Sequence, residues 1–332
     1  MANGSIAAPG LSFPRDTFAK LTPGPFLHAH LKQPEPVRPS GRAPEEGRNP
    51  TINTGSLTHS NGSAVVRVGD TAIVCGVRAE ILLASDVPRP PSDNAKEADL
   101  IEQLGLLVPN VELSTGCSPA YLPGNPPGTH AQSLSYRVNS LLNESNLIPL
   151  KDLTIEYDEP AAEEAVLDEG PTTVVKAYWA LYIDILCIAL DGNAFDAAWL
   201  AVLAALQSTT LSKAWWDADR EAILCSPLAA DAHKVRLTSL PLASTFAVFS
   251  TASPLKQRHQ GESWVIADPD GFEEDVCKET LTVVVTPKRK GHGGILRLEK
   301  RGGSIIGKDL MRRCVSMAED RWSVLEAALR GG

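Results

Sequence analysis

Five carboxylates stand close together in one short segment of the sequence, and side chains of this type could hold a cation. They lie between residues 268 and 275: Asp268, Asp270, Glu273, Glu274 and Asp275. Hard divalent cations take carboxylate oxygens as ligands. The alternative is a solvated turn that closes a hairpin, because Asp and Gly are common turn residues. The commonness of such turns favours this alternative, and the sequence predicts no metal and no cofactor.

A glycine-rich segment, Gly302-Gly-Ser-Ile-Ile-Gly307-Lys308-Asp309, has the GxxxxGK spacing of a phosphate-binding loop. It also follows a predicted strand and opens a predicted helix, as such a loop does. The loop requires Ser or Thr after its lysine, but Asp309 stands there and would repel phosphate. A turn with Asp309 near the positive end of the helix dipole is the favoured interpretation.

Basic residues are concentrated toward the end of the sequence, where they could contact nucleic acid. The 31 basic and 40 acidic residues of the whole sequence argue against a general nucleic-acid-coating protein. From residue 288 onward, however, eleven residues are basic and five are acidic. Lys and Arg clusters bind phosphates through counterion release. RNA contact is therefore predicted for Lys288, Arg289, Lys290, Arg297, Lys300 and Arg301, with Arg312 and Arg313 as further candidates. A solvated hairpin tip explains the first three equally well.

Cysteine and histidine form no metal-binding pattern. The six cysteines contain no CxxC pair and several stand in apolar runs, which predicts reduced, buried thiols of an intracellular protein. His28 and His30 are two residues apart, a poor spacing for one helix face, and no acidic or Cys partner is near.

A central strand and helix, within residues 172–211, are predicted to organise these side chains. Residues 174–190 are rich in β-branched and aromatic residues, which indicates one long buried strand. Lys176 and Asp184 within it argue against a membrane span. A tight turn is predicted at Asp191-Gly192, and Asn193 is predicted to cap the apolar-striped helix that follows.

The remaining predicted elements complete two α/β layers. In domain order, the first are a hairpin at 62–81 turning at Gly69-Asp70, a loop or insertion at 85–129 with a strand at 107–113, a helix at 130–146 and a strand at 151–156. They are followed by a linker at 212–226, two strands around Pro241 within 235–249, strands at 264–269, 279–286 and 295–299, and a helix at 307–329. A short docking helix is predicted within 18–31, and the acidic run up to residue 170 is predicted to be a solvated loop or a hairpin tip.

Several of these segments resemble the RNase PH-like family, and within it the ring subunits of the RNA exosome. The most specific is Leu190-Asp-Gly-Asn-Ala-Phe-Asp-Ala with its Ala-rich helix. Three further segments match, and all the matching segments stand in the family's order along the chain. They are Arg38-Pro-Ser-Gly-Arg42, Pro241-Leu-Ala-Ser-Thr-Phe and Val265-Ile-Ala-Asp-Pro-Asp-Gly-Phe-Glu-Glu-Asp. The last of these resembles the non-catalytic lineage.

The resemblance implies an α/β (α+β) fold with two layers: a βαβα layer like domain 2 of ribosomal protein S5, and a smaller C-terminal α/β layer. The expected division is an N-terminal extension (1–36), domain 1 (37–211, with the Pro-rich insertion 85–129) and domain 2 (212–332). It also implies a six-membered hetero-oligomeric ring of RNase PH-like subunits, with S1/KH cap proteins, a processive exoribonuclease and RNA in the channel. The expected location is the nucleus, including the nucleolus, and the cytoplasm, with no membrane association.

The expected role is structural and not catalytic. Active members carry a Gly-Thr-Gly-Arg-like phosphate loop before the central helix and an Asp beside an Ala-Asp-(Met/Ile)-Pro segment, and neither is present. RNA-binding members carry several arginines on the helix that this sequence places at 133–146, where only Arg137 stands, so Arg137 is a further RNA-binding candidate. The alternatives are an active phosphorolytic 3′–5′ exoribonuclease, alone or with a paired subunit, and a free-standing RNA-binding protein.

Overall fold

The computed structural model describes residues 14–88, 97–119, 121–122, 128–159, 172–251, 261–287, 294–303 and 306–331. The helices in these ranges are α1 (Arg15–Leu21), α2 (Pro23–Leu31), α3 (Glu97–Gln103), α4 (Thr129–Ser145), α5 (Ala194–Ser208), α6 (Gly271–Val276) and α7 (Lys308–Gly331). The strands are β1 (Pro50–Thr54), β2 (Gly62–Val68), β3 (Thr71–Leu83), β4 (Leu107–Leu113), β5 (Thr154–Glu159), β6 (Thr172–Ala189), β7 (Thr210–Leu211), β8 (Ala214–Asp217), β9 (Ala222–Cys225), β10 (His233–Lys234), β11 (Leu242–Ser250), β12 (Ser263–Ala267), β13 (Glu279–Val285) and β14 (Ile295–Arg301).

The first layer is built on a six-stranded sheet. Its strand order is β1-β2-β3-β6-β4, and β5 also pairs with β6. β6 spans 18 residues, so the long strand predicted at 174–190 is confirmed. β2 and β3 form the predicted hairpin, and Gly69 in its two-residue turn has a φ of +61°, which glycine adopts without strain.

Helices α4 and α5 cover one face of this sheet. Twelve residues of α5 are buried, because its many alanines let the helix lie close to β2 and β3. Trp199 of α5 is fully buried, and its indole Nε1 donates a hydrogen bond to the Pro241 carbonyl (2.7 Å). The predicted apolar side of α4 is confirmed, since Leu134, Val138, Leu141 and Leu142 pack into the same core.

The second layer is an antiparallel four-stranded sheet in the order β12-β11-β13-β14. Helix α7 packs on one face through Cys314 and Ala318. Helix α2 packs on strand β11 and its neighbours through Leu27 and Leu31, in contact with Phe249. Because helices lie on both sides of it, β11 is buried at every residue except the last. The second sheet and the terminal helix are therefore confirmed.

Two predicted segments differ in the structure. Residues 235–249 were expected to hold two strands around Pro241, but β11 is a single strand that begins at Leu242, and the carbonyl of Pro241 accepts the Trp199 hydrogen bond instead. The expected linker at 212–226 contains the hairpin β8–β9. In this hairpin the ring of Trp216 lies against Lys176 of β6, with 5.6 Å between the ammonium and the ring centroid.

The first described residues form two helices where one was expected. Pro23 is the first residue of α2, where its missing N–H costs nothing, and it separates α2 from α1. α2 docks on the second layer as predicted. The acidic segment beyond Glu159 and the basic residues Lys288, Arg289 and Lys290 lie outside the described residues. No helix in the described ranges has the length and apolar character needed to cross a membrane.

Candidate functional site: a charge network between the two layers

Two of the five carboxylates after β12 are buried, and a third caps a helix. Asp268 is 2% exposed and Glu273 is 0% exposed. Asp270 caps α6 by accepting a hydrogen bond from the Glu273 N–H (3.0 Å), and Glu273 accepts one from the Asp270 N–H (3.0 Å). The expectation of a solvated turn was wrong for Asp268 and Glu273, because arginines from a distant part of the chain bind these two carboxylates, whereas Asp275 is exposed.

Arg38 supplies the most buried of these guanidinium groups, at 1% exposed. Its Nε donates to Glu273 Oε1 (2.7 Å), and its Nη2 makes the second contact to the other carboxylate oxygen. The same group donates to three main-chain carbonyls, those of Glu46 (2.9 Å), Ala267 (2.8 Å) and Asp268 (3.0 Å). All the donor nitrogens of Arg38 are therefore used inside the protein.

Arg48 forms a similar pair of hydrogen bonds with the carboxylate of Asp268. Its Nη2 donates to Asp268 Oδ1 (2.9 Å), and its Nε donates to Oδ2 (2.9 Å). Arg42 and Arg321 approach the same carboxylate at 3.5 and 3.7 Å. Burial alone would raise the pKa of Asp268, but hydrogen bonds and charge from Arg48, supported by Arg321, lower this pKa to about 2. Asp268 is therefore ionised and fully paired.

Asn193 connects this network to the first layer. It precedes α5 in the left-handed conformation (φ 51°), and its side chain makes no capping hydrogen bond. Its Nδ2 donates instead to Asp268 Oδ1 (2.7 Å) and to Asp196 Oδ2 (2.9 Å). Asn193 therefore stands at the predicted capping position but does not cap the helix, because its carboxamide bonds to Asp268 of the second layer instead. We call Arg38, Arg42, Arg48, Arg321, Asn193, Asp268 and Glu273 the charge network.

A small cleft of about 140 Å³ lies beside the charge network. Its lining comes from α4, the start of α5, α6 and the second sheet: His130, Leu134, Arg137, Asn193, Ala194, Phe195, Thr245, Glu274, Thr280, Thr282 and Arg301. Glu274 enters the cleft and accepts a hydrogen bond from the Asn193 N–H (2.8 Å). The N-terminal end of α5, which could otherwise bind an anion, therefore already has a carboxylate on it.

Arg137, the sole arginine predicted to bind RNA on α4, is buried in this cleft. Its Nε donates to Glu299 Oε2 (2.9 Å) and its Nη2 to Thr282 Oγ1 (2.9 Å). Its guanidinium carbon also lies 3.7 Å from the centroid of the Phe195 ring. These contacts fix Arg137 between the two layers.

The described basic residues of β14 are also paired with carboxylates. Arg301 Nε donates to Glu299 Oε1 (3.0 Å), and Lys300 Nζ donates to Glu279 Oε2 (3.1 Å). Arg297 donates to Ser140 of α4 (3.1 Å) and lies 3.8 Å from Glu144. The charge excess read from the sequence is thus partly neutralised within the fold.

Relatives of this chain identify its family. The family model described as "3′ exoribonuclease family, domain 1" (RNase PH) matches residues 46–212. The "Exosome complex component rrp43" of Schizosaccharomyces pombe is 33% identical over 312 residues, covering 94% of this chain and 97% of the relative. The chain belongs to the RNase PH family.

Two further proteins are similar to this chain, one in sequence and one in fold. "Exosome complex component Rrp42" of Methanothermobacter thermautotrophicus is 28% identical over 284 residues, 86% of either chain. A solved structure, "archaeoglobus fulgidus exosome with RNA bound to the active site", superposes with a TM-score of 0.62 at 22% identity, covering 95% of this chain and 98% of that one. The expected α/β fold with two layers is confirmed.

Sequence reasoning about this RNase PH-family chain missed the partners of the acidic turn. Arg38 and Arg42 were noted only as parts of a matching segment, and Arg48, Arg321 and Asn193 were given no role in the turn. One signal could have indicated them. Three arginines recur in the turn-rich segment 38–48, and arginine placed in an ordered turn commonly has a carboxylate partner.

Glu274 gives this RNase PH-family chain a pH-dependent stability. Burial raises the pKa of Glu274 to about 7, and the charges of Asp196 and Asp268 add to the effect. The folded chain thus binds this proton more tightly than the unfolded chain, whose value is near 4.5. The free energy of unfolding is therefore expected to fall as the pH rises from about 4.5 to about 7. Glu274→Gln keeps the acceptor for Asn193, so it should be about 1 to 3 kcal/mol more stable than wild type at pH 8.

Urea unfolding at pH 5 and pH 8 checks this expectation. Asp275→Asn changes the exposed neighbouring carboxylate and is the control, with little change expected at either pH. A Glu274→Gln variant that kept the pH dependence of wild type would contradict it.

Proposed function

We propose that this chain is a non-catalytic structural subunit of the six-membered RNase PH-like ring of an RNA exosome. It would support 3′-to-5′ RNA processing and degradation by shaping the channel and holding its partners. The observation that carries the proposed lack of catalysis is the hydrogen bond from the Asn193 N–H to Glu274 Oε1 at the start of α5 (2.8 Å).

This hydrogen bond opposes phosphorolysis. A phosphate nucleophile needs backbone N–H donors and cationic side chains that are free to receive it. At the start of α5, Glu274 accepts the hydrogen bond of the Asn193 N–H, and Arg137, which lines the same cleft, is bonded to Glu299 and Thr282. Phosphate would have to displace the Glu274 carboxyl group, and at a pH above its pKa of about 7 the ionised carboxylate would also repel phosphate, by about 4 kcal/mol at 4 Å near a protein surface.

The identity to an exosome component along 94% of the chain supports the ring assignment. The partners we propose are other RNase PH-like subunits, S1/KH cap proteins, a processive exoribonuclease and RNA passing through the channel. The division into domain 1 (37–211) and domain 2 (212–332) belongs to the same proposal, as does a location in the nucleus, nucleolus and cytoplasm. The family match, which ends at residue 212, supports that boundary.

RNA contact by this chain is proposed chiefly for Lys288, Arg289 and Lys290. The other basic candidates, Arg137, Arg297, Lys300 and Arg301, each contact a carboxylate, so phosphate would have to compete with it. Ultraviolet crosslinking of the intact assembly should place RNA on peptides from 288 to 301. RNA found on none of those peptides would remove this part of the proposal.

The assembly itself is tested by purifying the native particle through a tag on this chain. The expected result is a large particle that contains five other RNase PH-like chains and S1/KH proteins. A monomer or a homo-oligomer would contradict the ring proposal.

The absence of catalysis is tested separately on the purified chain. With inorganic phosphate, Mg²⁺ and end-labelled RNA, no nucleoside diphosphate should form above the level of a protein-free control. Phosphate-dependent release of nucleoside diphosphates would establish the alternative, an active exoribonuclease.

A further inference from the structure

Two cysteines of the first layer stand next to each other where strand β4 ends. Cys187 lies near the end of β6 and pairs with Leu113, the last residue of β4. Cys117 lies in the loop that follows β4. Both residues carry free thiols, and the two sulfur atoms are within hydrogen-bonding reach of each other. The fold thus brings together two thiols that helix α4 and strand β5 separate in the sequence.

Hydrogen bonds hold the loop against β6 at both cysteines. The N–H and the hydroxyl of Ser114 both donate to the Cys187 carbonyl, at 3.1 and 2.7 Å. The Leu190 N–H donates to the Cys117 carbonyl (2.9 Å). The contact between the thiols is therefore fixed by ordered main chain on each side of it.

No other pair among the six cysteines, all of which lie in the described ranges, has this geometry. Cys75 of β3 comes nearest, because it pairs with Ile185 and is thus the diagonal neighbour of Cys187 across the sheet. Diagonal neighbours are about 7 to 8 Å apart between their Cα atoms, which exceeds the usual span of a disulfide. The remaining three, in other parts of the structure, are Cys225, Cys277 and Cys314.

We propose that Cys117 and Cys187 form a site of reversible oxidation, at which a hydroperoxide closes a disulfide bond between the loop and β6. Redox-sensing cysteines commonly have a second cysteine beside them that resolves the oxidised sulfur. This inference does not depend on the proposed function.

The reaction balances with one hydrogen peroxide as the oxidant. The Cys117 sulfur attacks a peroxide oxygen and the O–O bond breaks; hydroxide leaves, takes up the thiol proton as water, and the sulfur becomes a sulfenic acid. The Cys187 sulfur then attacks this sulfur, the S–O bond breaks, and a second water leaves as the S–S bond forms. The two thiols lose two hydrogen atoms in total, and the peroxide is reduced to two waters.

Cys117 is the better first nucleophile of the two. Burial raises the pKa of both thiols, that of Cys187 to about 12. At Cys117, hydrogen bonds from the Cys187 thiol and from the Ser118 N–H oppose this rise in pKa. Cys117 is also 6% exposed, whereas Cys187 is 1% exposed. The thiolate that attacks peroxide therefore forms more readily at Cys117, and Cys187 resolves the sulfenic acid.

The bond would fasten a loop that also contacts the cleft. The loop carries Tyr121, whose hydroxyl is 2.8 Å from Nδ1 of His130, and His130 lines the cleft. The bond would close a long segment of chain that contains α4 and β5, and such a closure lowers the entropy of the unfolded chain. The oxidised chain should therefore unfold at a higher temperature than the reduced chain, by about 5 °C or more.

The test uses the purified full-length chain, first fully reduced and then treated with hydrogen peroxide while folded. After the remaining thiols are blocked and the chain is digested, mass spectrometry should find two peptides joined through Cys117 and Cys187. This product should come from chains that migrate as monomers on a non-reducing gel, and dithiothreitol should reverse it. The unfolding temperature should rise on oxidation in wild type and in the matched control Cys225→Ala, which removes an exposed thiol, but not in Cys117→Ala.

Three results of the peptide analysis would overturn the inference: both thiols still free after treatment, either sulfur oxidised to a sulfinic acid without the bond, or either cysteine joined to a different one. An equal rise in unfolding temperature for wild type and Cys117→Ala would overturn it as well. Because the joined peptides are sought in the wild-type chain, the test does not depend on the folding of any variant.

Discussion

Replacing Arg38 by methionine should lower the free energy of unfolding by about 3 to 5 kcal/mol, the range typical for breaking a buried ion pair. Methionine fills most of the space but has no donors. The Glu273 carboxylate, which is 0% exposed, would be left as a buried charge without its main partner. The carbonyls of Glu46 and Ala267 would lose a donor as well. Urea unfolding followed by circular dichroism at pH 7 measures this loss.

Two further variants decide whether burial causes the effect. Arg313 pairs with Glu45 at the surface, where both side chains are 56% exposed, so Arg313→Met should change stability by no more than about 1 kcal/mol. Adding Glu273→Met to Arg38→Met removes the stranded charge and should restore part of the loss. If Arg38→Met and Arg313→Met proved equally mild, the charge network would not stabilise the fold as described.

Gly192→Ala should also be strongly destabilising, by about 2 to 5 kcal/mol. Gly192 has a φ of +69°, where an L side chain costs about 1 to 2 kcal/mol. A Cβ there would lie 2.4 Å from the main-chain carbon of Asp270 and 2.6 Å from the Pro269 carbonyl oxygen. Both atoms belong to the other layer, so the two layers would have to separate, which adds about 1 to 3 kcal/mol.

Gly55 provides the control for this variant. Its φ is +72°, nearly the same, and a Cβ there would meet nothing within 4 Å. Gly55→Ala should therefore show the conformational strain alone, about 1 to 2 kcal/mol. The difference between the two variants in the free energy of unfolding, measured by urea unfolding, gives the energetic cost of the close approach of the layers. Equal losses at both positions would show that this approach is unimportant.

Much of the fold could be predicted because its signals are local. The β2–β3 hairpin follows from Gly69-Asp70 between two apolar runs, and β6 with α5 follows from one apolar strand, a glycine turn and a helical stripe. The single strand β11 was missed because Pro241 suggested a break within two strands. The proline stands just before the strand, where its carbonyl accepts the hydrogen bond from Trp199. That partner is 42 residues away and leaves no local mark.

The site was harder to predict, because its charges are satisfied by residues distant in sequence. Asp268 and Glu273 were assigned to solvent, since a carboxylate is usually exposed unless it is paired. Their partners Arg48 and Arg38 lie 220 and 235 residues earlier in the chain. Likewise, the basic residues of β14 suggested RNA contact, whereas the fold brings Glu299 between Arg137 and Arg301. Net charge along a sequence does not reveal such pairing.

The distance between Arg38 and Glu273 also sets an order of events during synthesis. At about 5 to 20 residues per second, the ribosome emits Glu273 roughly 10 to 50 seconds after Arg38. Late in that interval the first layer, Asn193 included, has been synthesised but still lacks the carboxylates that will bind its arginines. The first sheet can form early, but the arginine segment can settle only when the last third of the chain emerges. A nascent chain paused before residue 268 would therefore present an unfinished cationic surface, which is a natural target for chaperones and for adventitious RNA.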